Sequence, residues 1–132
     1  MAEVRLSRLI QFNEVNWKEV PDETGIYVIY DNDEVLYVGM AGRNGRGSLR
    51  NRLKDHRSGQ IVNMFAQYLF LDRVQFLPEE RITHPRDAKA WCRKYIDERC
   101  SFRYQTTIDS SIARNLENHL TVSYTHLRAH ET

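Results

Sequence analysis

The chain has 132 residues, 41% hydrophobic and 28% charged, with a formal net charge of +1. That length holds one domain with one modest core, and the composition is that of a soluble globular protein rather than a disordered or fibrous one. Near-neutrality excludes non-specific coating of nucleic acid by overall charge, and no apolar run reaches membrane-spanning length.

The N-terminal residues, MAEVRLSRLIQFNEV, are too interrupted by charge for an export signal, so a cytoplasmic location is expected. Leu6, Leu9, Ile10, Phe12, Val15 and Trp17 scatter without a clear period, which predicts a short helix or strap packed onto the core. Pro21 to Gly25 form a turn that launches a strand. Ile26–Tyr30 and Val35–Gly39 are rich in β-branched and aromatic residues, and the polar tip DNDE joins them as a hairpin. Gly42, Gly45 and Gly47 make a flexible loop. Ser48 is then an N-cap for a helix over Leu49–Arg57 that stops at Ser58-Gly59.

Ile61–Leu77 is apolar without one period, so helix and strand both remain open. Pro78 and Pro85 bracket a loop. Ala88, Trp91, Cys92, Tyr95 and Ile96 then fall on one face at helical spacing, an amphipathic core helix. Cys92 and Cys100 are the two cysteines, without a CxxC spacing. A reduced, buried thiol suits Cys92 better than a disulfide or a zinc site. Ser101–Thr107 alternates as a half-buried strand. SSIARNLENHL is a final helix capped near Asp109 or Ser110, with Ile112, Leu116 and Leu120 on its buried side. Strands and helices in this order predict an α+β fold.

The last residues, TVSYTHLRAHET, place His126 and His130 four apart, as helical metal ligands often are. The string nevertheless resembles a transposase-end sequencing adapter translated in one frame. On that reading residues 1–120 are a single domain and 121–132 are a non-native tail. The natural C-terminus is then expected to be missing, and the histidine pair is set aside.

Charge is distributed unevenly. Between Arg43 and Arg57 stand five arginines and Lys54 against the single acid Asp55. A local basic patch on a near-neutral chain suggests an anionic ligand at one site, although a solvated helix face would look the same if it stood alone. It does not stand alone. Gly25-Ile26-Tyr27, Tyr37-Val38-Gly39, the R-x-x-x-H of Arg52 and His56, and Glu117 in ARNLENHL resemble, in order and on the expected elements, the GIY-YIG nuclease domain.

The resemblance covers about Pro21 to Leu120. It implies a small antiparallel three-stranded sheet flanked by helices, here with a helical insert over about residues 60–100. It further implies a DNA endonuclease that hydrolyses phosphodiester bonds with one divalent ion, Mg²⁺ or Mn²⁺, and double-stranded DNA as the partner. Repair, restriction and mobile-element nucleases share this core. Glu117 would hold the metal through a hard carboxylate oxygen. Arg52 would present a fork of donors to phosphate. Arg50 competes with it, but the four-residue spacing to His56 puts Arg52 and His56 on one helix face. Arg43, Arg46, Arg50, Lys54 and Arg57 are candidate phosphate contacts. Tyr27 is the candidate base or relay with His56 as its proton acceptor, and Tyr37 orients water or phosphate. His84 and His119 have no assigned role.

Cooperation requires Tyr27 and Tyr37 on one sheet face. A two-residue turn at Asn32-Asp33 would pair Tyr27 with Val38 and separate them, and would count heavily against a shared site. A bulged or three-residue tip pairing Tyr27 with Tyr37 is therefore expected. Two other classes compete with the nuclease: an inactive DNA-binding module, which should lack a catalytic residue, and a structural domain, which the arginine run does not suit.

Overall fold

The computed structural model describes residues 3–42, 47–58 and 85–131, with side chains through residue 123 and, in the last stretch, from residue 88. The described elements, in chain order, are β1 (Ile10–Gln11), a 3-10 turn (Trp17–Glu19), β2 (Gly25–Asp31) and β3 (Glu34–Ala41). They continue with α1 (Leu49–Arg57), α2 (Pro85–Arg99), β4 (Cys100–Thr106) and α3 (Ser110–Glu131). The class is α+β, and among the described residues every strand pairing is antiparallel. Their sheet has four strands in the order β1-β4-β2-β3, not three. The extra strand comes from the N-terminal segment, which packs onto the core as an extended strap rather than as a helix. Its two paired residues complete the edge of β4, and Ile10 and Phe12 enter the core.

Alternation along β2 sends its side chains to two separate cores. Tyr27 and Ile29 face α1 and α2, where they pack with Leu49, Leu53, Trp91, Cys92, Tyr95, Ile96 and Phe102. Ile26 and Val28 face the other way and pack with Met40 and with Ala113, Leu116 and Leu120 of α3. The expected stripe of α2 is therefore core, and the latter part of the supposed insert belongs to the domain body. The earlier part, with Pro78, His84 and the ambiguous run Ile61–Leu77, lies outside the described residues. β4 lies between β1 and β2, so Cys100, Ser101 and Phe102 are buried in succession where a half-buried alternation was expected. The helix α3 continues past Leu120 to Glu131, so the adapter-like segment extends it.

The hairpin combines the two alternatives. Its turn is the two-residue Asn32-Asp33, with Asn32 at φ 53°, a left-handed conformation that asparagine tolerates. A bulge then shifts the register, so that Tyr30 pairs with Val35 but Ile29 pairs with Tyr37. Leu36 is the extra residue, and it turns into the same core as Tyr37. Tyr27 consequently pairs with Gly39 rather than with Tyr37. The two tyrosines still share a face, as diagonal neighbours.

Candidate active site

Gly39 explains how the tyrosines meet. A Cβ built there would collide with the Tyr27 ring and its hydroxyl, so only glycine lets that ring lie across the neighbouring strand. Gly25 has a related role at the start of β2. Its Cβ would strike the Gln105 carbonyl and come within 2.7 Å of Leu49 Cδ1, so glycine admits both β4 and α1. The tyrosine rings stand 6.2 Å apart, centroid to centroid.

The helix α1 is fixed against this hairpin at its first turn. Ser48 Oγ accepts from the Asn51 amide at 3.2 Å, and the Leu49 amide donates to the Glu23 carbonyl at 2.9 Å. That anchoring aims the Arg52 and His56 face of the helix at the tyrosines. The Tyr27 hydroxyl and His56 Nε2 are hydrogen-bonded at 2.5 Å, and His56 is only 2% exposed. The imidazole also lies 5.3 Å from each tyrosine ring.

A cleft of about 430 Å³ opens beside this pair and is lined by Tyr27, Tyr37, Val38, Gly39, Met40, Gly42, Arg52 and Glu117. It lies at β3, the edge strand, where residues of both sheet faces can reach it. Four of the five expected catalytic residues line it, and the fifth, His56, is hydrogen-bonded to one of them. Glu117 arrives from α3, on the opposite side of the sheet. Nothing in the sequence pattern marks Val38, Met40 and Gly42 as cleft residues, because strand edges are not legible in alternation.

Tyr27 is fully buried, and its hydroxyl pKa is raised above the ordinary phenol value. Burial is the main cause, reinforced by the charges of Tyr37 and Glu117 and opposed by the charge and hydrogen bond of Arg52. The Tyr27 phenol therefore stays protonated at neutral pH. Of the candidate phosphate contacts, Arg43 and Arg46 lie outside the described residues. Arg50, Lys54 and Arg57 lie on the side of α1 turned away from Arg52, and none of them lines the cleft. Each has an internal partner: Arg50 Nε donates to the Val20 carbonyl at 2.9 Å, Lys54 Nζ lies 5.9 Å from the Trp17 ring centroid, and Arg57 Nε meets Asp97 Oδ1 at 3.0 Å. His119, on an exposed part of α3, does not line the cleft either.

The donor set around Glu117 suits a hard cation. Mg²⁺ takes one or two carboxylates and completes its shell with water and phosphate oxygens, so one cleft carboxylate is enough. Among the described residues no three or more His, Cys, Asp or Glu side chains gather into a group that could hold a metal ion, so Glu117 would have to hold it with water and phosphate. No family model, curated protein or solved structure matches the chain. Among the described residues no helix is long and apolar enough to cross a membrane.

Proposed function

We propose that the chain is a metal-dependent DNA endonuclease of the GIY-YIG type, hydrolysing phosphodiester bonds at the β3 cleft. The observation that carries this reading is the convergence of Tyr27, Tyr37, Arg52 and Glu117 on one cleft, with His56 bonded to the Tyr27 hydroxyl. These residues come from four separate elements, and each suits one demand of phosphodiester hydrolysis.

The Arg52 guanidinium presents a planar fork to two non-bridging oxygens and neutralises charge that grows in the transition state. Glu117 would hold the divalent ion, which when bound would supply further neutralisation and an acidified water. The raised pKa of Tyr27 argues against a free phenolate as base. A relay avoids it: with Nδ1 carrying the imidazole proton, the phenol donates to His56 Nε2 while its oxygen accepts the proton of the attacking water. Tyr37, half-buried at the cleft, orients that water or the phosphate.

The test is cleavage of supercoiled plasmid by the purified chain in Mg²⁺ or Mn²⁺. Glu117→Gln keeps the shape of the side chain and removes its charge, and is expected to reduce the cleavage rate by at least about a hundredfold while DNA binding persists. Equal cleavage by wild type and variant would remove Glu117 as the metal ligand. Binding without any cleavage by wild type would leave a DNA-binding module in place of an enzyme.

A further inference from the structure

Beside Glu117, the outer flank of α3 carries a cation that the proposed chemistry does not use. Ala113, Leu116 and Leu120 form the buried stripe of α3. Glu117 lies on one flank of that stripe, partly buried at the cleft. Arg114, three residues earlier, is about 60° further round the same flank and about 4.5 Å along the axis. Ile112 occupies the other flank.

An arginine and a glutamate three apart on an exposed helix surface ordinarily form an ion pair. Here they do not. Arg114 is exposed and has no hydrogen bond or ion pair among the described residues. The Glu117 carboxylate is directed to the cleft, and its helical neighbour is left to serve another anion. Ala113 is fully buried beside Arg114, so the root of this side chain is held by the core while its guanidinium stands in water. Arg52 lines the cleft from α1. A polyanionic strand entering the cleft would thus meet one guanidinium at the reacting phosphate and a second one helical turn outside it.

We infer that Arg114 grips a phosphate next to the scissile one on the same DNA strand, as a residue that binds the strand outside the reacting centre. This inference rests on the nuclease reading. Its fork geometry suits phosphate, and a contact outside the reacting centre contributes to binding rather than to the chemical step.

The experiment compares wild type, Arg114→Gln and Arg114→Lys as full chains. Binding to a labelled DNA duplex is measured in EDTA across a salt series, and steady-state cleavage is measured in Mg²⁺. Arg114→Gln is expected to reduce the slope of log Kd against log salt by about 0.9, the value for one lost phosphate contact, and to raise KM with kcat unchanged. Arg114→Lys is expected to restore the slope, which a merely structural role would not do. If wild type cuts DNA but the glutamine variant keeps the full slope, the Arg114 contact is refuted and the nuclease reading stands. A fall in kcat at constant KM would move Arg114 into the chemical step and overturn its role as a binding contact. A wild type that neither binds nor cuts DNA overturns both.

Discussion

Tyr27 lines the cleft from a buried position and its ionised form is disfavoured, which has a measurable consequence. Its folded-state pKa lies above the unfolded value of about 10. The stabilising contribution is therefore complete below pH ~10 and is lost as the pH rises beyond it, because the unfolded chain gives up that proton first. Denaturant unfolding of wild type and Tyr27→Phe should differ by a constant amount from neutral pH to about pH 9. Above pH ~10 the stability of wild type relative to the variant should fall, approaching about 1.4 kcal/mol per pH unit. The other six tyrosines are common to both proteins and cancel. A difference that stays flat into the alkaline range would mean that the phenol titrates freely. Gly39→Ala acts on the same ring from the neighbouring strand. Its methyl would occupy the space of Tyr27, so a loss of about 1–3 kcal/mol is expected by urea unfolding. Cys92 gives a contrasting case: burial pushes its thiol up to about 12, and it should resist alkylation in the folded protein.

At the scale of elements, legibility followed how local the signal is. The bounds of α1 were readable because Ser48, the basic run and Ser58-Gly59 are all local signals, and Ser48 does cap the helix. Ser48→Ala should cost about 1 kcal/mol in equilibrium unfolding. The face of α2 was readable because its apolar residues keep helical spacing. The edge strand β1 was not, since two residues carry no period and their pairing with β4 depends on residues about ninety positions away. The hairpin register fell between these cases. Alternation shows that Tyr27 and Tyr37 can share a face, but Leu36 is placed by the core, so the site of the bulge depends on tertiary packing. The same reasoning limits the basic residues of α1. Arg57 pairs with Asp97 of α2 while both side chains keep about a third of their exposure, 33% and 30%. A double-mutant cycle on that pair should therefore give no more than about 1 kcal/mol of coupling. A larger value would make it a main tie between the two helices.

Considered as a whole, the molecule carries its proposed site on two cores that, among the described residues, lie on opposite faces of the sheet. Tyr27, Arg52 and His56 are held from the α1 and α2 side, whereas Glu117 depends on α3 packing against Ile26, Val28 and Met40. The motif residues revealed which side chains belong together, but not that the acid would reach them from the opposite face of the sheet. This division means that binding and catalysis can be separated by a core substitution far from any phosphate. Leu116→Ala removes a side chain that is 5% exposed and adjoins Glu117, and should lower stability by about 2–5 kcal/mol. Partial collapse of α3 into the space would shift the Glu117 carboxylate relative to Arg52, and a misplacement of about 1 Å can reduce a rate by about a hundredfold. Under conditions where the variant is still folded by circular dichroism, cleavage should therefore fall much more than DNA affinity. Leu53→Ala, on the other core and also fully buried, should instead loosen α1 and weaken both together. If both substitutions reduced binding and cleavage in the same proportion, the two cores would act as one unit, and the separate placement of the proposed metal ligand would have no functional consequence.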